Sequence, residues 1–421
     1  MVATAAAATL LDINGTIKDG EVKIIPQKGQ QEPKLIDPNA GKPIELLVMG
    51  QDTRDGADNA SIGGGDTSEG SHQADTTMVV QISADRSYIN LVSIPRDSLV
   101  DAPSCETSKG TISAQYNVMF NSIFANGYTT GDDLASAASC TVNAVNSLTG
   151  LNIQNFIVVD FNGLKDMINA IGGVKICIPS DVKDPYTGLD LTKGLHQLDG
   201  LAATQYARTR YSLGDGSDVQ RTTRQQYLIK QLLQQALDKN IFTHTSELYQ
   251  LAKSALKSLN ISQGLADTAT LAGLAMSLKN LNVSHMYTRT LPVVQAPSDP
   301  NRVVWDSSAD ELWTKMREGK PFVEQPAQDP SSSGSANTNN DSSNTSDQAQ
   351  DSTPSDQDNA QATPQNTRVA DGVEKTADGK YIDTATGGEI DTETGAVKDI
   401  NTGQVLGISE AYLNNVVCPV Q

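Results

Sequence analysis

The run RTRYSLGDGSDVQRTTR holds Arg208, Arg210, Arg221 and Arg224, four of the chain's eleven arginines within seventeen residues. On a helix opening near Arg221, the side chains of Arg221, Arg224 and Gln225 share one face, because positions three and four apart are neighbours. Arginines in a first helical turn oppose the positive end of the helix dipole, at a cost of about 0.3–1 kcal/mol each. A sequence that accepts this cost beside two more arginines suits an anion. Planar guanidinium forks and a helix N-terminus together match a phosphate or pyrophosphate. The alternative is structural, with Asp215 and Asp218 neutralising the cluster in salt bridges.

A second set of groups stands at strand ends. Asp52 follows the apolar run IELLVMGQ, and Asp75 directly precedes TTMVVQI. Two carboxylates at neighbouring strand termini suit Mg²⁺, which takes one or two carboxylates, waters and phosphate oxygens. Strand-end aspartates also serve as turn or cap residues. In SIPRD, Pro95 ends a strand and projects Arg96 and Asp97 from its terminus. Between the two aspartates, residues 54–70 form a Gly/Asp/Ser-rich stretch whose GGG run lacks the lysine and helix of a nucleotide-phosphate loop. The four histidines (His72, His196, His244, His285) are scattered and no Cys-x-x-Cys pair occurs, which argues against zinc.

These groups need a scaffold, and the pattern supplies one. Residues 44–49, 76–82, 88–94, 155–159 and 173–178 read as strands. The polar stretch 83–87 has hairpin length. Helices are expected at 163–170, 221–239, 246–259, 265–278 and 307–317, and another opens at Thr130-Gly131-Asp132-Asp133 with Leu134, Ala138, Val142 and Val145 at helical spacing. The expected fold is α/β, a mixed central sheet flanked by helices, over residues 43–326 after an N-terminal extension at 1–42.

The 421-residue chain carries 31 Lys+Arg against 50 Asp+Glu, a formal charge of −19, which argues against general nucleic-acid binding. No run of 18 apolar residues is present, so the sequence holds no membrane span. More than half of the charge lies beyond residue 326, where four basic residues face fifteen acidic ones. Residues 327–368 are nearly devoid of large apolar side chains and read as a disordered linker. Residues 369–421 form a tail module with an eight-residue repeat, TADGKYID, TATGGEID, TETGAVKD, which predicts a small meander of short strands. Its acidic residues fit turn chemistry, and no EF-hand spacing is present. Cys105, Cys140, Cys177 and Cys418 suit two disulfides in an oxidising compartment. Three connectivities are possible, and the expected one is Cys105–Cys140 with Cys177–Cys418, the second stapling the tail to the body.

The segments LLVMGQDTRDG (46–56), ADTTMVV (74–80), SIPRD (93–97), AIGGV (170–174), LDGLAATQYARTR (198–210) and DVQRTTRQQ (218–226) together resemble the LytR-CpsA-Psr family of cell-envelope phosphotransferases, of actinobacterial type. The resemblance implies an extracytoplasmic enzyme that moves a glycopolymer from a polyprenyl-pyrophosphate carrier to a hydroxyl acceptor on peptidoglycan or a surface glycoprotein. It implies that Asp52 and Asp75 hold Mg²⁺ on the pyrophosphate. Arg96, Arg208, Arg210, Arg221 and Arg224 would grip its oxygens, with Gln225 hydrogen-bonding beside them and Asp218 orienting an arginine or touching the head group. Asp97, and after it Asp75, is the expected general base. The polyprenyl tail would lie in an apolar tunnel between sheet and helices. The family's N-terminal membrane helix is not in this sequence, which therefore reads as an ectodomain beginning at an added Met1. The alternative function is a polyprenyl-pyrophosphate-binding protein or a pyrophosphatase without transfer activity.

Overall fold

The computed structural model describes residues 12, 14–28, 34–53, 72–210, 212–238, 253, 256–323 and 366–419. Its centre is a sheet in which seven strands pair among the described residues. They are β1 (Glu21–Val22), β2 (Ile44–Asp52), β3 (Gln73–Ile82), β4 (Ile89–Ile94), β5 (Asn155–Val159), β8 (Asn260–Ser262) and β9 (Met286–Thr290), with β6 (Val174–Ile178) and β7 (Gly194–Leu198) forming a separate antiparallel pair. The order across the sheet is β1-β8-β5-β2-β3-β4-β9. β2 runs parallel to β5, and β4 to β9, whereas β3 lies antiparallel between β2 and β4. The sheet is therefore mixed, as the pattern predicts, and the carboxyl ends of β2, β4, β5 and β9 emerge at one edge.

Both faces of this sheet are covered, which is why its strands read as unbroken apolar runs rather than alternating ones. On one face Leu47, Met49, Val79, Val92, Phe156 and Val158 pack against α1 (Phe120–Gly131), α2 (Leu134–Thr149) and α7 (Ala309–Arg317). On the other, Leu46, Met78 and Leu91 meet Ile229 and Leu233 of α5 (Asp218–Asp238) and Leu271, Leu274 and Leu278 of α6 (Thr268–Leu278). Helix α1 is an addition to the expected elements: residues 130–131 close it rather than opening α2, whose start is capped by Asp133 accepting from Ser136 N–H at 2.7 Å. Its signal lies in Phe120, Ile123, Phe124 and Gly127, spaced for one helical face and buried. Of the expected helix at 246–259 only residues 253 and 256–259 are described, and the Gly-rich stretch 54–70 lies outside the described residues.

The boundary expected at residue 43 falls inside the layer structure. Ile17 is buried in the second core and β1 pairs with β8, so residues ahead of 43 complete the sheet edge. Most of the expected linker, 327–365, lies outside the described residues. Thr367 and Arg368, assigned to that linker by composition, already belong to the first tail strand.

The tail is a six-stranded antiparallel meander: β12 (Thr367–Ala370), β13 (Val373–Lys375), β14 (Tyr381–Asp383), β15 (Glu389–Ile390), β16 (Ala396–Lys398) and β17 (Val405–Ile408). It follows β10 (Val293–Ala296) and β11 (Asp299–Trp305), a hairpin of the body. The eight-residue repeat is a repeat of turns. Asp383, Asp391 and Asp399 each accept backbone N–H groups two or three residues on, and Gly387, Gly395 and Gly403 close the turns at φ of 73°, 72° and 71°. Each of these three aspartates thus commits one carboxylate oxygen to its own turn. Cysteine pairing joins Cys105 to Cys140 at a Cα separation of 5.4 Å, and Cys177 to Cys418 at 6.1 Å.

Candidate active site

The site is built at the carboxyl edge of the parallel strands, where ligands of open α/β sheets lie. β2 delivers Asp52 to this edge, and antiparallel β3 begins there, with Asp52 opposite Gln73 and Gly50 opposite Thr76. A side chain at position 50 would press on Thr76, whose Cβ stands 3.0 Å from where its first carbon would be, so glycine keeps the two strand ends close. β4 runs out through Pro95 to Arg96, and β5 through Val159 to Asp160 and Phe161. Asp160 caps α3 (Phe161–Ala170), accepting from Gly163 N–H at 2.7 Å. Helix α4 (Gly200–Arg208) ends on Arg208, and α5 presents Arg221 and Gln225 from its first two turns.

These elements enclose a cavity of about 260 Å³. Asp52, Asp75, Arg96, Arg208, Arg210, Arg221 and Gln225 all line it, and so does Asp160. Val48, Met78, Val159, Leu164, Leu228 and Ile229 supply apolar lining to the same cavity. Candidate residues from four separate regions of the sequence therefore meet in one place.

The charges are interlocked. Arg96 Nη1 donates to Asp75 Oδ2 at 2.7 Å, and its Nε lies 3.4 Å from Asp218 Oδ1 and 3.8 Å from Asp97 Oδ2. Arg221 Nη2 donates to Asp218 Oδ1 at 2.5 Å and to the Asp75 carbonyl at 2.8 Å, with Nη1 3.8 Å from Asp75 Oδ2. Asp75 and Asp218 thus bridge two guanidiniums and fix their planes. Burial alone would depress the Arg96 guanidinium, but the carboxylates of Asp75, Asp218 and Asp97 outweigh it and hold its pKa above the ordinary value. Arg208 is oriented differently, its guanidinium carbon 4.5 Å from the centroid of the Phe161 ring. Gln225 is clamped at both ends of its amide, donating to Ala207 O at 3.0 Å and accepting from Thr76 Oγ1 at 3.0 Å.

Three of the expected site residues do not line the cavity. Arg224 is 3% exposed and donates to the Leu213 and Thr209 carbonyls, so it fastens the loop after α4 instead of facing an anion. Burial pushes its pKa down to about 10. Three residues advance a helix by 300°, so Arg224 is turned about 60° from Arg221, enough to leave the cavity face. Asp218 stands behind Arg96 and Arg221. Asp97 sits between Arg96 and Arg302, whose Nη1 is 3.4 Å away, a position for holding arginines rather than for taking a proton in the cavity. Asp215 accepts from Ser217 N–H and shapes the turn before α5.

Among the described residues no group of three or more His, Cys, Asp and Glu side chains clusters as a metal site. Two carboxylates nevertheless fit the smaller protein share of a Mg²⁺ shell, because Asp52 and Asp75 line the same cavity. Asp75 Oδ1 is buried and has no hydrogen-bond partner among the described residues, a hard oxygen donor of the kind that ion takes. Asp160 and Phe161 are site residues that the sequence motifs do not name. Asp160 follows an apolar strand just as Asp52 does, and the strand-end argument applied to residues 155–159 finds it.

Comparison with known proteins agrees with this architecture. The crystal structure of a Streptococcus agalactiae protein superimposes with a TM-score of 0.54 at 20% identity, covering 68% of this chain and 91% of the other, a likeness of fold. Cell wall biosynthesis protein LcpA of Corynebacterium glutamicum is 27% identical over 309 residues, 69% of this chain and 58% of its own length. The polyisoprenyl-teichoic acid–peptidoglycan teichoic acid transferase TagU of Enterococcus faecalis is 26% identical over 220 residues, 52% of this chain and 62% of its own. The chain spans about three-fifths of the length of these curated relatives. The LytR_cpsA_psr family model matches residues 9–318, most of the chain, and the protein belongs to that family.

Proposed function

We propose that this chain is a Mg²⁺-dependent phosphotransferase that moves a glycopolymer from a polyprenyl-pyrophosphate carrier to a hydroxyl acceptor on peptidoglycan or a surface glycoprotein, outside the cytoplasmic membrane. The observation that carries this reading is one cavity lined by arginines and carboxylates and by aliphatic side chains together. Such a cavity suits a molecule that is a diphosphate at one end and a hydrocarbon at the other. The transferase name borne by the Enterococcus relative supports the same class of reaction.

The chemistry follows from charge. The acceptor oxygen bonds to the phosphorus carrying the glycan, the bridging P–O bond breaks, polyprenyl phosphate leaves, and the hydroxyl proton passes to water. Negative charge grows on the phosphoryl and leaving oxygens, where Arg96, Arg208, Arg210 and Arg221 would stabilise it, so positioning and electrostatics carry the acceleration. Among the described residues four guanidiniums face three carboxylates around the cavity, which alone leaves little positive excess for a diphosphate. Mg²⁺ held by Asp52 and Asp75 would supply the missing charge. Asp75 and Asp218 keep Arg96 and Arg221 in place before substrate arrives, sparing reorganisation during the reaction. Titrating wild type, Arg96→Ala and Arg221→Ala with polyprenyl pyrophosphate tests the assignment; folded variants that bind like wild type would defeat it.

A further inference from the structure

The family match ends at residue 318, yet the tail shares a hydrophobic core with the helix that bears the arginines. Val373, Val397, Tyr412 and Leu413 of the tail are buried in one cluster with Tyr227, Leu228 and Leu232 of α5. Leu228 belongs to that cluster and also lines the cavity, so the core that the tail helps to build reaches the wall of the site.

Polar ties follow the same path. Lys230 on α5 meets Glu410 of the tail at 2.7 Å, and the lysine is only 12% exposed. Tyr227 Oη accepts from the backbone N–H of Cys177, whose disulfide partner Cys418 follows the last helical turn of the tail. β17 packs on α5 and β9. The Arg289 guanidinium of β9 is depressed by burial and finds an opposing charge in Asp383 of the tail, which also accepts from Ser409 Oγ at 2.6 Å. On the neighbouring side of α5, Gln226 donates to Ser93 Oγ, the Arg289 carbonyl and Thr290 Oγ1, tying α5 to the strand that leads to Arg96.

We infer that the C-terminal repeat module is a positioning element for the diphosphate site: it braces the rear of α5 so that Arg221 and Gln225 are presented to the cavity with Leu228 as its wall. This rests on the phosphotransferase reading for the identity of the ligand, but not for the bracing itself. The repeat suits the task. Short strands joined by self-capped turns make a rigid plate from few apolar residues, and rigid elements hold sites more accurately than loops do.

The test compares three variants of the full chain. Leu413→Ala removes a buried contact of the brace, Glu410→Gln removes its ion pair, and Val145→Ala destabilises the core on the opposite face of the sheet without touching α5. Two readouts are taken at matched melting temperature: affinity for geranylgeranyl pyrophosphate with Mg²⁺, and amide hydrogen exchange across residues 218–228. The expected result is a loss of affinity of about 2- to 30-fold in Leu413→Ala, with faster exchange in the first turns of α5, and neither change in Val145→Ala. If Leu413→Ala does not fold, Glu410→Gln carries the comparison, with a smaller shift in the same direction. Wild-type binding and exchange in the tail variants, or equal losses in Val145→Ala, overturn the proposal. If wild type does not bind the probe, the functional reading fails and exchange alone decides the bracing.

Discussion

Asp75 receives Arg96 on one carboxylate oxygen at 2.7 Å, while its other oxygen is buried and has no hydrogen-bond partner among the described residues. One oxygen aligns a guanidinium, and the other is the one proposed to meet Mg²⁺. Replacing Asp75 by Asn keeps the shape and removes the charge. Transfer rate is expected to fall by about 10²–10³. The Mg²⁺ concentration giving half-maximal rate should rise, measured by metal titration of initial rates.

Arg208 and Phe161 give a second prediction. Stacking over a ring fixes the plane of the Arg208 guanidinium at the cavity wall. Phe161→Leu is expected to weaken polyprenyl-pyrophosphate binding about 2- to 30-fold, the range of a cation–π contact worth about 0.5–2 kcal/mol. Phe161→Trp should restore it, as read by calorimetric titration.

Arg224 is expected to behave unlike its neighbour Arg221. Its partners are the Leu213 and Thr209 carbonyls, so Arg224→Met should cost roughly 1.5–3 kcal/mol of stability for each buried charged hydrogen bond lost. Denaturant unfolding measures the loss. Arg221→Met should instead lose affinity for diphosphate.

The Cys105–Cys140 bond closes a loop with a sequence separation of 35, which limits the unfolded chain. Replacing both cysteines by alanine is expected to lower stability by about 3–4 kcal/mol on loop entropy. The cavity lies elsewhere, so diphosphate affinity at 20 °C should persist if the variant is folded. Chemical denaturation and calorimetry check the two halves.

Much of the fold and of the site is legible in the amino-acid sequence. The strands over 44–49, 76–82 and 155–159 stand out because both faces of the sheet are buried, and helix caps such as Asp133 and Asp267 obey local chemistry. Arg221 can be found as a charge that opposes the helix dipole, Arg208 and Arg210 by their clustering beside it, and Arg96 by its place at a strand end after Pro95. What stays hidden depends on three dimensions. Whether Arg224 faces the cavity is decided by a rotation of about 60° around the helix and by carbonyls of the loop after α4. Phe161 matters only because α4 brings Arg208 over its ring. The sheet edge at β1 is inconspicuous because two residues, Glu21–Val22, carry no periodicity. The tail's repeat is visible as turns, but its packing on α5 joins residues far apart in the chain.

The central claim is transfer at one phosphorus. The full chain would be incubated with a polyprenyl-pyrophosphate-linked glycan, a peptidoglycan acceptor and Mg²⁺, and the products weighed by mass spectrometry. The predicted result is a glycan joined to the acceptor through a single phosphate, with polyprenyl phosphate released in equal amount and both lost in Arg96→Ala. Free glycan phosphate and polyprenyl phosphate with no adduct would contradict it and make the protein a hydrolase of the carrier.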